Sequence, residues 1–142
     1  LKDKPLDEVY TTKHDTQIPK ELLEVVVDGM AHAVTGGTCR GANLEPEIEV
    51  CGKTGTSENP HGDDHSLFMG FAPKDDPKVA IAVIVENGRF GATTAVPIAR
   101  LMMQKFFKDS IPDSDKWLEE RMVNTNILPN IYLRNKQMLN AQ

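Results

Sequence analysis

Apolar residues fall into a regular rhythm first at Leu22, Leu23, Val26, Val27, Met30 and Val34, in steps of three and four that line one helix face. Pro19 suits a first helical turn and Gly36-Gly37 stops the pattern, so a helix is predicted over residues 19–35. The preceding residues 1–17 are polar and nearly aperiodic, which predicts a peripheral strand or arm around LDEVYTT. After a loop at 38–46 the period changes to two. In EIEVCGKTGT, Ile48, Val50 and Gly52 alternate with Glu47, Glu49 and Cys51, predicting a strand over 47–56. The apolar runs SLFMGFAP and KVAIAVIVEN predict buried strands at 66–73 and 78–86, joined by the hairpin-length turn Lys74-Asp75-Asp76-Pro77. Three strands connected in this way should pair antiparallel. A second helix is expected over 93–108, with Val96, Ala99, Leu101, Met103, Phe106 and Phe107 among its apolar residues and Pro97 near its start. Residues 109–142 form a carboxy-terminal extension with a short helix around DKWLEERM, anchored by Trp117, and loosely ordered last residues. The predicted class is α+β: an antiparallel sheet of about three to five strands with helices packed on one face.

Composition narrows the partners. A chain of 142 residues with 39% apolar and 26% charged residues is globular and long enough for one core, burying roughly two-thirds of its unfolded surface. A formal charge of -5 without a basic cluster argues against a nucleic-acid partner. The apolar run at 79–85 is far short of the roughly 20 residues of a spanning helix, and no signal segment is visible. The opening at Leu1 rather than Met suggests a piece of something longer. Cys39 and Cys51 are too few for a disulfide scaffold or a cysteine-rich zinc site. One bridge between them and two buried thiols both remain open.

The stretch VCGKTGTS poses the chemical question, because GKT is also the end of a phosphate-binding loop. That loop needs a glycine five residues before the GK glycine and a helix after the lysine, so that backbone N–H groups surround phosphate. Here Glu47 occupies the first of these positions, a strand precedes Lys53, and Asn59-Pro60 and Gly62 prevent a helix. The alternative is K-T-G-T on a strand. Lys53 and Gly55 then share one side and Thr54 and Thr56 the other. Gly55 lets an extended substrate lie against the backbone, Lys53 offers a point charge for a carboxylate, and Thr56 adds a hydroxyl and an N–H.

K-T-G is one of three elements of penicillin-binding proteins and serine β-lactamases, beside S-x-x-K and S-x-N. The succession GKTGTSE, HSLFMGFAP, DPKVAIAVIVENG and AVPIARLMM resembles the carboxy-terminal part of the transpeptidase domain of class B penicillin-binding proteins, the peptidoglycan D,D-transpeptidases. Their elongation-specific penicillin-binding protein 2 type is most similar, and the likeness covers about residues 1–108. It implies a partial penicillin-binding/serine β-lactamase-like transpeptidase fold. It also implies acyl transfer, in which a serine attacks a D-Ala-D-Ala stem peptide, or a β-lactam, and the acyl group passes to the amine of a second stem. Lys53 is then the lysine that supports the S-x-N serine and the substrate carboxylate, Thr54 steadies the strand, and Gly55 leaves room. Thr56 binds the carboxylate and contributes an oxyanion-hole N–H.

No S-x-x-K is present. Ser57, Ser66, Ser110 and Ser114 are followed three residues later by Pro60, Met69, Asp113 and Trp117. Ser57-Glu58-Asn59 matches S-x-N in form only, since the family places that element upstream. The nucleophile and general base are therefore expected before Leu1, the chain alone is expected to be inactive, and exposed apolar surface should favour self-association. The resemblance further implies a parent with an amino-terminal membrane anchor, cell-wall synthesis partners and a catalytic domain on the periplasmic, extracytoplasmic face. Cofactors and metals are not expected. His61, Asp63, Asp64 and His65 offer ligand chemistry but no regular spacing, and read as a solvated loop. His14 and His32 are isolated, with His32 on or beside the first helix; Arg40 and Arg89 are candidate substrate-side cations. Cys51 is either a thiol activated by Lys53 or a packing residue. A β-lactamase or β-lactam-sensor fragment and a non-catalytic binding module are the rival functions.

Overall fold

The computed structural model describes residues 5, 7–44 and 46–140. The chain forms a one-turn helix α1 (Glu8–Thr11), a long helix α2 (Lys20–Thr35), and strands β1 (Cys51–Ser57), β2 (His65–Ala72) and β3 (Val79–Val85). Helices α3 (Ala95–Lys108), α4 (Lys116–Asn124) and α5 (Leu128–Asn140) follow. Short 3-10 turns occupy Arg40–Ala42 and Asp113–Asp115. The strands make one antiparallel sheet in the order β1-β2-β3, with Gly52 opposite Gly70 and Phe68 opposite Val83. The α+β class and the pairing follow the sequence expectation.

Pleating separates the sheet into two faces. Ser66, Phe68, Ala72 and Val83 point into the core, where they meet Ala95, Val96, Ala99 and Met103 of α3 and Val34 of α2. Phe68 lies over two paired glycines. A Cβ on Gly52 would stand 2.6 Å from its ring and one on Gly70 2.9 Å, so only residues without side chains admit the aromatic there. At the start of α3, the buried Ser66 hydroxyl accepts from the Thr94 hydroxyl (2.7 Å) and the Ala95 N–H (3.2 Å), satisfying a donor the helix cannot use internally. Asp109, in the left-handed conformation at φ 57, ends α3 beyond the last-turn Lys105 and Lys108, whose charges suit the helix carboxy-terminus.

Several expectations are corrected. The predicted strand at 47–56 begins only at Cys51. Ile48 and Val50 pack against the core from an irregular segment; continued register sets Glu49 opposite Pro73, which has no N–H to offer the ladder. The arm around Glu8 contains a helical turn, not a strand, with Asp7 capping the Val9 N–H. The face read along α2 is buried only at its carboxy-terminal half: Val34 is in the core, while Leu22, Leu23 and Val26 are exposed. Trp117 does not anchor the extension. It is 60% exposed beside the Arg121 guanidinium, and Leu118 is buried instead. Beyond α4 the chain forms a further helix, α5, that the sequence reading does not include; residues 141–142, expected to be loosely ordered, lie outside the described residues. Cys39 and Cys51 are both buried and both free thiols, so no bridge joins them.

Candidate active-site strand

Lys53, Thr54, Gly55 and Thr56 all lie on β1, an edge strand of the sheet. Their alternation is as the sequence predicts. Lys53 and Gly55 share the face of Leu67, Met69 and Ile84, opposite the core, whereas Thr54 and Thr56 pair with Phe68 and Ser66 on the α3 side. The Lys53 and Thr56 side chains are exposed. Lys53 Nζ donates to the Thr54 carbonyl at 2.8 Å, and among the described residues no carboxylate lies within ion-pair distance of it. The ammonium is therefore held close to the strand with its charge available to an anion. Gly55 keeps the strand low: a Cβ there would press on Leu67 at 3.3 Å and project from the open face between the lysine and Ser57.

Two segments outside the motif hold this strand. Thr38, just after α2, shares a hydroxyl–hydroxyl hydrogen bond with Thr54 at 2.8 Å. Gly91 packs so closely that a Cβ on it would lie 3.0 Å from the Thr54 Cβ and 3.1 Å from the Gly55 carbonyl. Just beyond the end of the strand, two loops clasp each other. The Asn59 amide donates to the Asp63 carbonyl and the Asn87 side chain, Asp64 accepts the Asn59 N–H, and Arg89 reaches Asp63 through its side chain and Asp64 through its N–H. Asn87 N–H donates to His65 Nδ1, and Asn87 and Arg89 take left-handed backbone at φ 56 and 64. In the sequence, Gly36-Gly37 reads only as a helix stop, Thr38 only as the start of the 38–46 loop, and the loops after β1 and β3 as separate. Asn followed by Pro or Gly marks the turns, but not that they meet.

The remaining candidates have structural surroundings. Ser66 is enclosed at the α3 amino-terminus, and the Asn59 amide is engaged within the clasp. Arg89 pairs with Asp63, while Arg40 and His32 are exposed. Burial, with Glu49 adding to it, pushes the Cys51 thiol up, away from a reactive thiolate; the activated alternative is thereby overturned. Among the described residues no three His, Cys, Asp or Glu side chains gather as a metal site, and His61, Asp63, Asp64 and His65 do not converge. No helix among them is long and apolar enough to cross a membrane.

Lys53, Thr54, Gly55 and Thr56 thus lie on an edge strand backed by the other two strands, with α3 packed on the sheet. Residues 6–104 match the family of the penicillin binding protein transpeptidase domain, and the chain belongs to that family. It is 32% identical over 121 residues to the peptidoglycan D,D-transpeptidase MrdA of Haemophilus influenzae, covering 72% of this chain and 19% of that protein. The D,D-transpeptidase domain of a peptidoglycan glycosyltransferase from Eggerthella lenta superposes with a TM-score of 0.57 at 35% identity, over 68% of this chain and 23% of that one. Penicillin-binding protein A from Mycobacterium tuberculosis, solved as an imipenem acyl-enzyme complex, gives a TM-score of 0.55 at 31% identity, over 64% of this chain and 20% of that chain. The chain thus spans about a fifth of the length of these relatives, and the class B, penicillin-binding protein 2 type resemblance stands.

Proposed function

We propose that this chain is the carboxy-terminal wall of the active site of a peptidoglycan D,D-transpeptidase that works through an acyl-serine and is acylated by β-lactams. The observation that carries this reading is the exposed ammonium of Lys53, which has no carboxylate partner among the described residues, beside Gly55 on an edge strand inside the matched domain. In that role Lys53 supplies positive potential to the terminal carboxylate of a stem peptide or the carboxylate of a β-lactam. Thr56 binds the same carboxylate, and its N–H stabilises the developing oxyanion. Thr54 faces inward and fixes the strand through Thr38. Imipenem acylates the tuberculosis relative, which supports β-lactams as ligands. The serine nucleophile and its lysine base come from other parts of the protein, and neither is among the 142 residues. The isolated chain is accordingly inactive. Cell-wall partners, a membrane anchor and an extracytoplasmic location belong to this proposal and rest on the resemblance alone.

The test compares labelling by a fluorescent penicillin. A longer natural protein containing this chain labels, the isolated chain does not, and Lys53→Ala in the longer protein slows labelling by about 10²–10³. Absence of labelling in the longer wild-type protein overturns the proposal in favour of a non-catalytic binding module. Rapid release of the label identifies a β-lactamase instead.

A further inference from the structure

Residues 109–124 lie beyond the matched domain, yet they grip the two segments that hold the Lys53 strand. At the start of this stretch Asp115 is buried. Its carboxylate accepts from Arg100 Nε at 2.5 Å and from the Gln104 amide, both on α3. The Arg100 guanidinium also donates to the Asn43 carbonyl. Asn43 closes a tight succession of backbone hydrogen bonds, Arg40 to Gly37, Ala42 to Cys39 and Asn43 to Arg40, that leads directly to Thr38 and its bond with Thr54. On the other side, Arg121 of α4 donates to the Thr93 carbonyl at 3.2 Å. Thr93 N–H in turn donates to the Phe90 carbonyl, and between them Gly91 packs on Thr54 and Gly55. With the NH2 of Gln104 committed to Asp115, its buried Oε1 finds no partner among the described residues.

We propose that residues 109–124 are a brace that positions the K-T-G-T strand, with Asp115 acting through Arg100 on the 38–43 turn and Arg121 acting on the 88–93 loop. This deepens the proposed function, since it rests on β1 being the substrate strand. Neither residue touches a ligand; both are positioning residues. Severing either contact frees one flank of β1 while leaving β2 and β3 under α3.

Hydrogen exchange on the 142-residue chain tests the brace without any β-lactam, so its outcome is independent of penicillin labelling. In Asp115→Ala and, separately, in the surface variant Arg121→Ala, amides of 53–57 and of the adjoining flank (38–43 or 88–93) should exchange about tenfold faster. Amides of β2 and β3 that face each other should change far less. Acceleration confined to 109–124, or equal acceleration throughout the sheet, overturns the brace. If Asp115→Ala fails to fold, Arg121→Ala decides the matter by the same criterion.

Discussion

The two faces of one three-stranded sheet have opposite fates. Under α3, Phe68, Val83 and Ala72 are nearly or fully excluded from water; directly through the sheet, Met69 is 59% and Ile84 66% exposed. Both faces are apolar in sequence. Burial on one side concentrates stability, and openness on the other leaves Lys53 and Gly55 accessible beside an apolar floor. Under the proposed function, the Lys53 charge lies on the side that contributes least to folding, whereas Thr56 lies on the α3 side.

Substitutions that attack the covered face should have the largest effect. Phe68→Ala removes the ring that spans Gly52 and Gly70 and should lower stability by about 3–5 kcal/mol, read as a shift in the urea midpoint at unchanged slope. Ser66→Ala leaves the Ala95 N–H without its acceptor and should cost about 1–3 kcal/mol by the same measurement.

Acid sharpens the contrast at the edge of the core. Burial raises the pKa of Asp115, but its hydrogen bonds from Arg100 and Gln104 and the Arg100 charge outweigh this and hold the carboxyl below the usual value. A carboxylate with a depressed folded pKa stabilises above the unfolded value of about 3.9 and loses that contribution as pH falls through the folded one. Between about pH 5 and 2 the wild-type melting temperature should therefore fall more steeply than that of Asp115→Asn. Parallel curves would show that the carboxylate adds nothing. The smallest stability effect belongs to the open face: Lys53→Ala should stay within about 0.5 kcal/mol of wild type in the isolated chain, because it removes one exposed hydrogen bond to a carbonyl. A large loss there would mean that the lysine is a structural element rather than a reserved charge.

How much was legible from sequence depended on the range of the cause. Strands β2 and β3 were placed within a residue at each end because SLFMGFA and VAIAVIV carry their own β-propensity and Lys74-Asp75-Asp76-Pro77 their turn. The start of β1 was misplaced because Ile48 and Val50 are apolar for the core, not for a ladder, and alternation does not distinguish the two. In α2 the stripe was correctly helical, but its first turns met no neighbour.

Sequence alone determined α2, α3 and the three strands, their antiparallel order and the sidedness of Lys53 and Gly55, since a pleated strand fixes alternation locally. Tertiary structure decided which of two apolar faces is covered. It also decided that Thr38 and Gly91 flank Thr54, and that Asp115 enters the core against Arg100. These are meetings between residues far apart along the chain, and no local pattern records them.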